Sequence, residues 1–468
     1  MKKKKFKVVD AILATVCITL VAESVAPTAS IGNSQYFWWI FLIIAFVLPY
    51  GMISAELGTS YQSEGGMYDW VKRAFGAKWA SRVAWNYWIN FPLWIASLAV
   101  MITSVITSIF GLTLNIWLVL LIQLAYTWLV TILSTQRIGE SKWIVNIGTF
   151  FKVLFMVSLG ALGIYVFIKT GESANPIQSL GDLLPSFDAG SLSFISIIIF
   201  NVLGFEVVAT FVDDMENPKK DIPKALIVGG FLMALFYLLP ATGINIAIPA
   251  EELTLDDGLI ESFAVLLPRL GISQGLIRAL IITVGLMFIY TMVANIVSWS
   301  FGVNSVAKYS ADDGGLPKIF RKVNKHGVPY MVSIVNGIVA SVIIIGGVIA
   351  GEISETASSN FELFFGLSWI TLLISYIPMF LAFLKLRKTD NTKRVYKVPG
   401  GKVVINLMTY IPFTILLLGI VFTIFGDFTS AYIKDNLPLI IGVVISFIIQ
   451  EILVLSVKNN KIVENNKE

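Results

Sequence analysis

The strongest constraint on this chain is a recurrence of apolar blocks, each about as long as a bilayer's hydrocarbon core is thick. Residues 36–59, 112–134 and 436–457 are examples. About 20 apolar residues in a helix cross such a core. Lipid offers backbone N–H and C=O groups no partner, so each block is expected to be helical. A water-soluble chain carries about 25% charged residues. This one carries 14% charged and 56% hydrophobic residues, with a mean hydropathy of +0.80. A soluble chain of this length would also divide into domains.

Twelve spans are predicted, at about 8–31, 36–59, 79–110, 112–134, 143–169, 191–212, 225–248, 275–307, 329–351, 361–386, 403–426 and 436–457. The first block follows Lys2, Lys3, Lys4 and Lys5, as a signal peptide would. It is longer than the 7–15 residues of a signal's apolar core, contains Glu23 and Pro27, and lacks a clean small-residue cleavage site. It reads as a retained span. The outer loop at about 249–274 is expected to hold a short surface helix.

Lysine and arginine orient such a chain. With the N-terminus cytoplasmic, about 29 of the 34 basic residues fall inside, among them Lys72, Arg73, Lys78, Arg82 and the run from Lys385 to Lys402. Lys169, Arg269, Arg278 and Lys434 fall outside, and Lys152 lies within a span. The expectation is a multi-pass plasma-membrane protein with both termini cytoplasmic. The outer loops are acidic, with Asp182, Glu251, Glu252, Asp256, Asp257 and Glu261. Depletion of positive charge accounts for this. A negative vestibule that concentrates cations is the functional alternative.

The residue inventory excludes several classes. Cys17 is the only cysteine and His326 the only histidine, so no disulfide, metal cluster or Ser/His/Asp triad can be assembled. An enzyme is not expected, nor is a cofactor or a metal. The net charge of +4 is spread over short loops, which fits membrane topology rather than nucleic acid. A channel would need a filter-like repeat or a charged ring, and a sensor an appended signalling domain.

Two spans are interrupted. The first reads Leu20-Val21-Ala22-Glu23-Ser24-Val25-Ala26-Pro27 and the sixth Phe200-Asn201-Val202-Leu203-Gly204-Phe205-Glu206. Each sets a carboxylate near mid-membrane beside a helix-weakening residue, five spans apart. Interrupted helices at corresponding positions of two halves mark transporter sites built from inverted repeats. A charge at that depth costs about 2.5–3.5 kcal/mol on insertion scales and so faces a cavity or a partner. The competing reading is a kink with a satisfied structural Glu.

Longer motifs now carry a family resemblance. They are Pro49-Tyr50-Gly51-Met52-Ile53-Ser54-Ala55-Glu56-Leu57-Gly58, Glu64-Gly65-Gly66-Met67-Tyr68-Asp69-Trp70 and Ala74-Phe75-Gly76. Glu216-Asn217-Pro218 to Pro223, Lys308 to Pro317 and Tyr396-Lys397-Val398-Pro399-Gly400 follow in order. Together they resemble the amino acid–polyamine–organocation superfamily over nearly the whole chain. The resemblance implies a LeuT-like, all-α integral membrane fold of 12 transmembrane helices. Spans 1–5 (about 8–169) and 6–10 (about 191–386) would be 5+5 inverted repeats with broken helices 1 and 6. Spans 11–12 (about 403–457) would be peripheral, and the whole one transporter domain.

The resemblance also implies site residues. Members that bind α-amino acids carry a glycine-rich break in span 1, where bare N–H groups reach the substrate carboxylate. Here Ala22, Glu23 and Ser24 occupy the break, and a carboxylate there suits an ammonium or guanidinium. Glutamate/GABA antiporters also lack the glycine pair and carry a Glu nearby. Trp299 matches the span-8 tryptophan of arginine/agmatine antiporters, and a Trp face attracts such a cation by about 0.5–2 kcal/mol. A core or lipid-interface Trp is the plainer alternative. Phe200 falls where the family places an aromatic lid, with Gly204 at the break. Glu206 matches a glutamate tied to gating or proton coupling. Asn90, Tyr87 and Trp94 on span 3, and Trp369 and Tyr376 on span 10, are further pocket candidates, against helix packing. Lys152 resembles a span-5 lysine that stands in for the sodium ion of sodium-driven relatives, which implies exchange or proton coupling. A lysine bonded to backbone carbonyls for stability alone is the alternative.

The order of Glu23, "IGNSQ" at 31–35 and "FWWIF" at 37–41 is most like agmatine/putrescine antiporters. The expected activity is exchange of small amines or amino acids across the plasma membrane. The alternatives are a glutamate/GABA antiporter and a proton-coupled amino acid symporter. The expected partners are the substrate and the lipid bilayer, with a homodimer as the candidate assembly and no nucleic acid.

Overall fold

In the computed structural model, which describes residues 19–61, 63–136, 138–185, 189–204, 218–353 and 360–457, every regular element is a helix among the described residues. In chain order these are α1 (Val25–Ala29), α2 (Gly32–Ser60), α3 (Met67–Phe75), α4 (Ala77–Phe110), α5 (Ile116–Leu133), α6 (Ile138–Thr170) and α7 (Ala189–Val202). Then come α8 (Pro218–Ala247), α9 (Gly258–Leu266), α10 (Gln274–Asp312), α11 (Tyr330–Ile353), α12 (Asn360–Thr389), α13 (Lys402–Phe425), α14 (Ser430–Asp435) and α15 (Leu437–Leu455). Ten of the described helices are long and apolar enough to span a membrane.

Local chemistry sets the helix ends. Gly76 (φ +88°) and Gly111 (φ +64°) bracket α4 in backbone regions that side-chain-bearing residues avoid. Asn115 starts α5 by accepting from the Leu118 N–H at 2.9 Å. Within α2 the turn Ile43–Val47 widens to a π-helix. It lies just ahead of Pro49, which has no N–H and crowds the carbonyl four residues earlier.

Helices α4 and α12 pack along each other at the centre. Their most apolar stretches are 67% and 78% buried, against 28% for α5 and 22% for α15. The outer helices turn side chains such as Trp117 and Ile168 fully outward, as expected where hydrocarbon is the solvent. Helices α6 and α8 meet through glycine. A Cβ on Gly163 would lie 2.5 Å from the Gly243 Cα, so only two bare backbones can approach this closely.

Two differences from the sequence expectation have physical reasons. The helix in the outer loop, α9, is not a surface helix: Leu259, Ile260, Phe263 and Leu266 are buried in the bundle. Helix α3 falls between predicted spans, because it is amphipathic rather than apolar; it buries Tyr68, Trp70 and Val71 and leaves Arg73 outside.

Several of the motifs behind the family resemblance meet at one end of the bundle. Buried Glu56 accepts from the Val398 N–H at 2.6 Å and from Arg387 at 3.1 Å. Tyr68 donates to Asp313 at 2.6 Å, and Lys72 pairs with the same carboxylate. Ser81 donates to the Gly315 carbonyl at 2.6 Å. Tyr61 donates to Asp390 at 2.8 Å. Burial, reinforced by Asp390, pushes the Tyr61 hydroxyl up to about 12, so it stays a donor across the physiological range. Burial and Asp313 likewise raise Tyr68.

Candidate functional site

The first interruption is visible in the backbone. Thr19 is helical, Leu20 and Val21 leave the helix, and a 3-10 turn over Ala22–Ser24 leads into α1. Val21 is extended, at φ −116° and ψ 99°. The break thus lies just ahead of Glu23. It frees backbone groups that must be satisfied inside the protein. The Val21 N–H donates to the Tyr237 hydroxyl at 2.8 Å. The Leu20 carbonyl accepts from Lys152.

Lys152 and Glu23 are bridged by one side chain. Asn295 on α10 accepts from Lys152 Nζ at 3.2 Å and donates to Glu23 Oε1 at 2.8 Å. All three residues are at most 4% exposed. Glu23 Oε2 is buried without a hydrogen-bond partner among the described residues. Ser24 turns back on its own segment, donating to the Val21 carbonyl at 2.8 Å, and Ala22 is fully buried.

The second interruption begins where α7 ends. Gly204 has φ +91°, and its N–H donates to the Tyr50 hydroxyl at 3.2 Å. A Cβ there would lie 2.6 Å from Trp299 Cη2 and 3.4 Å from Thr19 Cγ2. Both the left-handed backbone and the indole resting on it demand glycine. Gly204 at the second interruption therefore faces Thr19, just ahead of the first, and Trp299, which stands one turn beyond Asn295 on the same face of α10. Glu206 lies outside the described residues.

An aromatic arc runs outward from Trp299. Its ring meets Trp94 edge-on at 6.0 Å, Trp94 meets Phe200 at 6.0 Å, Phe200 meets Phe365 at 5.6 Å, and Phe365 meets Trp369 at 5.0 Å. Each pair takes the edge-to-face geometry that ring quadrupoles prefer. Trp369 and Phe365 line a cavity with Pro27, Ile197 and Glu362. The indole N–H groups of Trp94, Trp299 and Trp369 are buried without partners among the described residues.

Glu23, Lys152, Gly204, Trp299, Trp94, Phe200 and Trp369 thus fall into one connected region. Tyr376 joins it at one remove, edge-on to Tyr50 at 5.7 Å. Asn90 is not brought into the network: its amide donates to the Tyr87 carbonyl of its own helix. Asn295, Tyr237, Tyr50 and Phe365 were missed by the sequence reading. Only Asn295 had a signal, its position four residues before Trp299.

An uncommitted carboxylate oxygen accepts N–H donors and repels another carboxylate. Such an oxygen in a region that also holds the Trp299 and Trp94 rings suits a small organic cation.

Comparison with known proteins follows the same line. The chain is 44% identical over 455 residues to the probable agmatine/putrescine antiporter AguD of Lactococcus lactis subsp. lactis (strain IL1403), covering 97% of this chain and 95% of that one. It is 24% identical to a glutamate/gamma-aminobutyrate antiporter of the same strain, over 86% of this chain and 80% of that one. In fold it resembles a solved manganese transporter of Eremococcus coleocola, crystallised with an aromatic bis-isothiourea compound. The TM-score is 0.54 at 13% identity, covering 95% of this chain and 92% of that one. These relatives are membrane transporters, not enzymes. The amino acid permease family model matches residues 6–449, from before the first interruption to the last helix, and the chain belongs to that family.

Proposed function

We propose that this chain exchanges small organic amines, agmatine against putrescine, across the plasma membrane. The observation that carries the reading is Glu23, a buried carboxylate at a helix break with one oxygen uncommitted. The 44% identity to an antiporter of that name supports the pair of substrates. In this reading the amine sits between the two interruptions, with Glu23 as its counter-charge and Trp299 as its stacking face. Ala22, Ser24, Phe200, Gly204 and Trp369 shape the pocket, and Asn90 is a wall residue. Lys152 holds the Leu20 carbonyl where a free cation would otherwise be needed, and Glu206 gates.

The architecture proposed with it has 12 spans, arranged as inverted repeats over about 8–169 and 191–386. Spans 11 and 12 are peripheral, and both termini are cytoplasmic. The two interrupted helices rock against the rest to alternate access. A homodimer is the proposed assembly.

Counterflow in proteoliposomes tests the activity. Vesicles loaded with putrescine should take up labelled agmatine, while empty vesicles should not. Arginine, glutamate and GABA should neither drive nor compete with uptake. Entry of glutamate against GABA, or uptake into empty vesicles driven by a pH gradient, would replace this reading with amino acid exchange or proton symport.

A further inference from the structure

We propose that Asn295 is a positioning residue for the substrate-binding carboxylate, holding Glu23 through Oε1 so that Oε2 remains available to the amine. The inference rests on the amine-exchange reading and deepens it.

A primary amide suits this position for a specific reason. It must donate toward a carboxylate and accept from an ammonium at the same time. Asn295 does both, with Nδ2 on Glu23 Oε1 at 2.8 Å and Oδ1 accepting from Lys152 at 3.2 Å. The two contacts also fix which amide atom is which, because the reverse assignment would set like against like on both sides. Aspartate there would repel Glu23, and an apolar residue would satisfy neither neighbour. Lys152 attracts Glu23 electrostatically. Without the amide between them, the ammonium can draw the carboxylate onto itself and occupy the oxygen the amine requires. Because Lys152 also holds the Leu20 carbonyl, Asn295 ties the orientation of Glu23 to the unwound backbone. Trp299, one turn along α10, is placed by the same helix. The carboxylate and the stacking ring therefore keep a fixed spacing, which suits one cationic head group.

The test is equilibrium binding of labelled agmatine and putrescine-driven counterflow, measured on wild type, Asn295→Ala, Glu23→Gln and the double variant. Asn295→Ser, small and still polar, serves where Asn295→Ala does not fold, as judged by thermal unfolding. Asn295→Ala should weaken agmatine binding tenfold or more and raise KM by the same factor, with the saturating exchange rate within about threefold of wild type. In the Glu23→Gln background the same substitution should change affinity no more than twofold, because a residue that acts through another has nothing left to act on. Unchanged affinity in Asn295→Ala, or losses that multiply in the double variant, with wild-type amine exchange intact, would overturn this role alone. Absence of amine exchange by wild type would overturn both the role and the reading beneath it.

Discussion

At the scale of residues, the site is a set of buried groups whose needs almost cancel. Glu23, Asn295 and Lys152 satisfy one another and the Leu20 carbonyl, and one carboxylate oxygen is left over. Glu23 and Lys152 were legible from sequence because a charge inside a 20-residue apolar block is conspicuous. Trp299 was legible only through the family resemblance, since it is one of 12 tryptophans. Asn295 left only a faint mark, its position four residues before Trp299: an amide within a span carries no charge to draw the eye. Phe365 was hidden among 32 phenylalanines. Trp299→Leu keeps an apolar side chain over Gly204 but removes the π face. Agmatine affinity should fall about 2- to 30-fold, the range expected for one cation–π contact, with the unfolding temperature nearly unchanged. Wild-type affinity in that variant would remove Trp299 from the site.

At the scale of elements, long apolar helices were readable and short amphipathic ones were not. Hydropathy located α4, α10 and α12 to within a few residues, because length and apolarity are the signal. It overlooked α3, whose buried and exposed residues average to neither, and it placed α9 on the surface although one face of it is core. The break in the first span was expected within Leu20 to Pro27, and it lies at the start of that stretch, at Leu20 and Val21. No glycine or proline marks those two residues; the break is held by partners distant in sequence, Tyr237 and Lys152. The contacts among the motif segments likewise belong to this scale. Glu56 is fully buried between α2 and the 396–400 segment, with Arg387 and the Val398 N–H as partners. Glu56→Ala leaves Arg387 without its anion, and breaking a buried pair costs about 3–5 kcal/mol. The purified variant should unfold at a markedly lower temperature in detergent, whereas a shift within a degree of wild type would show the pair to be dispensable.

At the scale of the whole molecule, charge asymmetry makes a prediction that packing does not. If the loops rich in Lys and Arg face the cytoplasm, then in a Cys17→Ser background Glu172→Cys should react with an impermeant maleimide added to intact cells. Asn391→Cys should react only once the membrane is opened. The opposite pattern would invert the topology.

The end of the bundle where Glu56 meets Val398, and Tyr68 meets Asp313, has a bearing on how such proteins diversify. Several of the residues that make the family recognisable are bonded to one another there, while Glu23 and Gly204 lie at the two helix breaks. Glu23, Asn295 and Trp299 are not among those signature residues, although Tyr50, whose hydroxyl accepts from the Gly204 N–H, is one of them. Selection can therefore retune Glu23, Asn295 or Trp299 without disturbing the lineage's signature. A signature match accordingly reports shared ancestry and says little about diet: two descendants can keep every signature residue and carry different nutrients.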